Sequence, residues 1–204
     1  ISAYLFQYAA PKQKTDVAVE AIMVPSDEQR FFRLNPASYI PRVKIRNLGS
    51  DNLKTLTIVY GTEGFAKKVF KWKGDLPFNK VAEIALPGEI QEKDGLNTFS
   101  VSLTNPNGRK DAWVYDNDMK STFTAPPKFA TDFVLQFLTN NKPKDNSIFL
   151  VNTNLDTIFK KMPQQLEANK LYTDTIHLVP GKYSLSLIDT AGDGLEFWAE
   201  PQNG

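Results

Sequence analysis

The feature that most constrains this chain is a recurrence of short alternating apolar and polar runs, cut at close intervals by Gly, Pro and Asn. Asp16–Val24 places Val17, Val19, Ala21 and Met23 on one face before Pro25-Ser26-Asp27, with a short helix as the alternative the pattern leaves open. Val43–Arg46 alternates into the turn Asn47–Asn52, and Leu56–Tyr60 runs to Gly61 and a hairpin-like turn at Thr62-Glu63-Gly64. Lys68–Trp72, Val81–Leu86 and Thr98–Leu103 follow, each ended by Gly, Pro or Asn. Period-two runs of this length with frequent turn signals predict an antiparallel β-sandwich. Helical signal is nearly absent. Its best candidate, Gln164–Asn169, spans only about one and a half turns.

Ala125-Pro126-Pro127-Lys128 marks the expected boundary between two units, because consecutive prolines fix φ and remove ladder donors. Beyond it, Asp132–Leu138, Ser147–Val151, Thr157–Phe159, Leu171–Leu178 and Tyr183–Ile188 read as further strands. In the last of these, Tyr183, Leu185 and Leu187 share one face, and Ser184, Ser186 and Ile188 the other. Ahead of the first sandwich, Ile1–Tyr8 reads as a strand and residues 9–13 as a linker. The opening at Ile1, in an apolar run without Met, is read as a piece of something longer or a processed product.

Composition narrows the function classes. The 204 residues carry 41% hydrophobic and 23% charged side chains, the balance of a folded globular chain. A net charge of +1 gives no electrostatic pull toward nucleic acid or an anionic bilayer. No run approaches the ~18 apolar residues of a membrane span. With no cysteine, disulfides, thiolate metal sites and a Cys nucleophile are excluded.

Carboxylates and glycines converge with regular spacing at Asp189-Thr-Ala-Gly-Asp193-Gly194. With Glu200 eleven residues after Asp189, the segment nearly fits a calcium loop, since calcium takes six to eight oxygen ligands. Ala191 stands at the third ligand position. The competing reading is a strand-to-strand turn in which Asp189 and Asp193 bond backbone N–H groups and Gly192 and Gly194 take positive φ. Asp174 is a further carboxylate that would complete a calcium shell. A second acidic cluster, Asp116-Asn117-Asp118, offers oxygens to a cation, but acidic turn residues are common and it reads first as a solvated turn. The lone histidine, His177, alternates with Ile176 and Leu178 and is expected to point outward, without the partners that zinc or a catalytic triad needs. Among Trp72, Trp113 and Trp198, core packing is the default, and Trp198 is the one expected to be exposed as a ligand-binding platform. Glu196 and Glu200, four apart on a strand, stand about 13 Å apart. That is too wide for paired glycosidic catalysis, and with no nucleophile or phosphate-loop motif the chain reads as non-enzymatic.

The order Asp16–Ile22, Val43–Gly49, Leu56–Gly61 and Trp72–Leu76 resembles the bacterial cell-adhesion-related domains. Together with Tyr183–Trp198, the chain also looks like the region following the catalytic domain in secreted bacterial proteins related to peptide-N-glycosidase F. The resemblance implies a secreted or cell-surface accessory role and carries no catalytic residue across. It suggests that Ile1–Pro11 closes an upstream catalytic region of the same protein. The expectation is therefore an all-β chain of two consecutive β-sandwich domains: an immunoglobulin-like one over residues 14–126 and a smaller one over 127–204. Its expected partner is a glycan or glycoprotein, and the alternative role is a structural spacer or docking domain for the upstream part. A hydrolase using residues from both units is the third and least supported reading.

Overall fold

The structure, a computed structural model, describes residues 11, 13–35 and 40–192. The strand expected at Ile1–Tyr8 lies outside the described residues. The chain is all-β and divides into two compact units, Ile1–Pro126 and Pro127–Gly204.

Unit 1 contains β1 (Val17–Val24), β2 (Arg42–Asn47), β3 (Leu53–Thr62), β4 (Lys68–Leu76), β5 (Val81–Ala85), β6 (Leu96–Thr104) and β7 (Asp118–Thr124). They form two antiparallel sheets, ordered β1-β2-β5 and β4-β3-β6-β7. This is a seven-strand immunoglobulin-like sandwich in which the fourth strand pairs with the third instead of the fifth. Alternation puts Val43 and Ile45 of β2, Leu56, Ile58 and Tyr60 of β3, and Phe99, Val101 and Leu103 of β6 into one core. Tyr60 reaches through that core and donates its hydroxyl to the Pro87 carbonyl at 2.6 Å. β1 breaks strict alternation. Register shifts against β2 at Val19/Ala21 and Ile22/Val24 turn Ile22, Met23 and Val24 all inward, which period-two reading cannot anticipate. A 3₁₀ turn at Gln29–Leu34 packs Phe31 and Leu34 on the same core. The Asn35 side chain fixes its exit by donating to the Met23 and Phe31 carbonyls.

Unit 2 contains β8 (Asp132–Leu138), β9 (Asn146–Asn152), β10 (Thr157–Lys161), β11 (Leu171–His177) and β12 (Tyr183–Asp189). Its sheets are β10-β9-β12 and the pair β11-β8. Phe137, Ile148 and Leu166 are buried together, with Leu135, Phe159 and Tyr172 packed around them. The helix expected at Gln164–Asn169 is instead a single 3₁₀ turn at Pro163–Gln165. Four helical hydrogen bonds cannot form over so short a stretch, and burial of Leu166 fixes the chain direction in their place. The burial of β12 differs from that of a half-buried strand. Leu185 and Leu187 lie opposite buried Leu150 and Ile148, yet remain 53% and 46% exposed. The other sheet of this unit has only two strands among the described residues.

Candidate carboxylate–aromatic site

The densest chemistry among the described residues lies around the start of β1 in unit 1. Asp16 precedes β1, and the connection from β6 to β7 brings Asp111 and Asp116 against it. Asp111 is 7% exposed, and each of its oxygens accepts a backbone N–H: Val17 at 3.1 Å and Trp113 at 2.9 Å. One carboxylate therefore ties the entry to β1 to a turn ninety-four residues away in sequence. The Ala112 N–H donates to the Thr15 carbonyl at 3.1 Å and closes the same junction. In the amide orientation that suits its neighbours, Asn117 donates to Asp111 Oδ2 at 3.3 Å and to the Val17 carbonyl at 2.6 Å.

Gly49 completes the packing. The Leu48 and Gly49 N–H groups donate to the Asp16 carbonyl at 2.9 and 3.0 Å. A Cβ on Gly49 would stand 2.5 Å from the Lys14 carbonyl oxygen and 2.8 Å from the Asp16 nitrogen. Only a residue without a side chain lets the β2–β3 turn approach so closely.

The carboxylates perturb one another. Asp16 is pushed up to about 6, first by burial, then by the negative charges of Asp111 and Asp116 and a hydrogen bond with Asp111. Burial also raises Asp116, with the Asp111 charge adding to it. Oδ1 of Asp16 and Oδ1 of Asp116 are both sealed from solvent without a donor. The expectation that Asp116-Asn117-Asp118 is a solvated turn is thus corrected. Asn117 is buried, Asp116 is half-buried, and only Asp118 is exposed, as the first residue of β7.

Above this carboxylate group the chain turns outward. Trp113 is 56% and Tyr115 81% exposed, and Val114 between them is exposed as well. The two rings lie 5.1 Å apart at 59°, so they present an angled pair of faces. Trp113 is therefore not the core residue that default packing predicts. One signal in the sequence pointed this way: Asp111-Ala-Trp-Val-Tyr-Asp-Asn-Asp118 is an acid-flanked apolar cluster with no period-two partner strand. Trp72 does follow the default and packs against the unit 1 core.

In unit 2 the structure locates one of the sequence-derived metal candidates. Asp189 ends β12, opposite Asn146, and its Oδ1 accepts the Ala191 N–H at 3.0 Å, while Gly192 takes φ +75°. That is the geometry of a side-chain-stabilised turn. Asp193, Glu200 and Trp198 lie outside the described residues. Asp174 is already committed, because Lys161 bonds both of its oxygens at 2.7 and 2.6 Å from β10. His177 points outward as expected and pairs with Asp132 across the β8–β11 ladder at 2.6 Å. A shallow recess elsewhere in unit 1 is lined by Ser26, Asp27, Glu28 and Lys120–Thr122 and gathers no comparable set of groups.

No family model matches this sequence, and no curated protein matches it. Among solved structures, it is similar to a domain of a Methanosarcina acetivorans protein described as a cell surface protein, at 9% identity and a TM-score of 0.44. That similarity covers 57% of this chain and 96% of the other. It is also similar to the CARDB domain of a Pyrococcus furiosus protein, determined in complex with di-metal ions, at 11% identity and a TM-score of 0.35. That one covers 60% of this chain and 98% of the other. Neither similarity shows a link to peptide-N-glycosidase F. At these scores the likeness assigns no role to any residue, and the architecture rests on the strand order itself.

Proposed function

We propose that this chain is a non-catalytic interaction module of a secreted or surface-attached protein, binding glycan or glycoprotein through the Trp113–Tyr115 face. The observation that carries the reading is three consecutive exposed apolar side chains, Trp113, Val114 and Tyr115, on a turn anchored by buried Asp111. Leaving each such side chain in water forgoes about 1.5–3 kcal/mol of burial. A turn tied to buried Asp111 beneath them argues for a surface kept ready for a partner. A sugar ring offers one face of C–H groups to an aromatic plane, while its hydroxyls stay wet at the edge. Angled Trp and Tyr rings with polar tips suit both needs.

A raised carboxyl in a cleft would point to acid–base catalysis. Asp16 instead keeps Oδ1 sealed from solvent and lies within hydrogen-bonding reach of Asp111, closer than the ~5–10 Å at which paired glycosidic acids stand. The reading therefore keeps the module non-enzymatic.

The test is binding of the purified chain to a glycan and glycopeptide array, with calcium and with chelator. Trp113→Ala and Tyr115→Ala are expected to lose binding by tenfold or more, a cost of about 1.4 kcal/mol each. Asp189→Asn in the calcium arm reports separately on the acidic glycine loop. Full retention of binding by a folded Trp113→Ala, Tyr115→Ala double variant would overturn the site. Absence of any binding by the folded parent chain would favour the spacer role.

A further inference from the structure

Three carboxylates, Asp16, Asp111 and Asp116, close on one another with two oxygens sealed from water and bonded to nothing. Every polar atom facing Asp111 from the backbone is a donor already in use, from Val17 and Trp113. The charged groups on the neighbouring segments do not neutralise the set. Arg109 is paired with Asp51 at 3.2 Å, Lys14 and Lys110 are exposed, Asp118 adds a further negative charge at the surface, and the Leu48–Gly49 turn supplies only backbone N–H groups. A buried carboxylate, Asp111, and a half-buried one, Asp16, within hydrogen-bonding reach and without a basic side chain between them, are relieved by sharing one proton.

We propose that a proton held between Asp16 and Asp111 latches the Trp113–Asp116 turn onto the start of β1, so that the aromatic pair is held in acidic medium and loosened toward neutrality. Asp111 is the mechanical link, since the carboxylate that takes the shared proton also accepts the Trp113 N–H. With the proton present, Asp16 donates and Asp111 keeps both of its backbone bonds. Once it is lost, two adjacent negative charges push the turn away from β1. The sign follows from Asp16, whose folded value of about 6 stands above its ordinary 3.8. Its contribution to stability is fully present below the ordinary value and is lost as pH rises through the folded one.

The latch itself needs no ligand. Only its consequence for binding rests on the function proposed above, so the two fail separately. The test follows the Trp113 indole N–H resonance and the thermal midpoint of the whole chain from about pH 4 to about pH 8. The parent is expected to show one step near pH 6 in the resonance, and a midpoint falling by roughly 4–8 °C over the same range. Asp16→Asn carries a permanent amide donor toward Asp111 and is expected to remove the step and flatten the midpoint. If that variant does not fold, ¹³C titration of the Asp16 carboxyl in the parent is expected to step near pH 6 together with the Trp113 resonance. A step that survives in Asp16→Asn, an Asp16 carboxyl that titrates near its ordinary 3.8, or a step that added calcium abolishes would overturn the latch. The last result would assign the carboxylates to a cation instead.

Discussion

Asp111 and Gly49 act at opposite sides of the same junction, one by bonding and one by leaving room. Asp111 satisfies two backbone donors that would otherwise be buried without acceptors. Gly49 allows the β2–β3 turn to bond the Asp16 carbonyl. The clash of a Gly49 Cβ is with backbone atoms, which cannot swing aside as a flexible side chain would. Gly49→Ala is therefore expected to destabilise unit 1 by about 1–3 kcal/mol, read as a lower urea midpoint at unchanged slope. Unchanged stability would mean that the close approach to Lys14 and Asp16 contributes nothing. Neither residue was legible as part of a site. Asp111 stands ninety-four positions from Val17, and no local pattern announces a contact at that range.

Secondary elements were far more legible than the contacts between them. The strand runs from Val43 to Leu103 and from Asp132 to Ile188 fall within strands of the structure, with Leu86 and Leu178 just past the ends of theirs, because alternation and turn residues both encode a half-covered sheet. What failed were features fixed by neighbouring elements. The β1 bulges come from pairing with β2, and Leu185 and Leu187 stay half-exposed in a unit whose other sheet has two strands among the described residues. The two sheets of unit 2 are also joined by a pair that no periodicity predicts. Lys161 of β10 grips Asp174 of β11, with its ammonium 4.9 Å from the Tyr172 ring centroid. Removing one partner leaves a largely buried charge uncompensated. Asp174→Ala is expected to cost unit 2 near the lower end of about 3–5 kcal/mol, whereas replacing both residues by apolar ones costs much less. A double-mutant cycle in urea would show this as strong coupling, and additive losses would refute it.

At the scale of the whole molecule, the two units are unequal in how they are held together. Among the described residues, twenty apolar side chains are buried in the unit 1 cluster and three in that of unit 2. Such a core gives unit 1 a rigid base for a turn that leaves Trp113 and Tyr115 in water. The position of the exposed aromatic face therefore follows from where the β6–β7 connection is pinned, not from the acidic glycine loop on which the sequence first focuses attention. The chain carries three tryptophans, and each contributes one indole N–H resonance. The most direct measurement titrates the labelled chain with a soluble pool of N-glycopeptides and follows those three signals. The account predicts that the Trp113 signal shifts while that of core-packed Trp72 stays fixed. A Trp113 signal that does not move while glycopeptide is bound would contradict it.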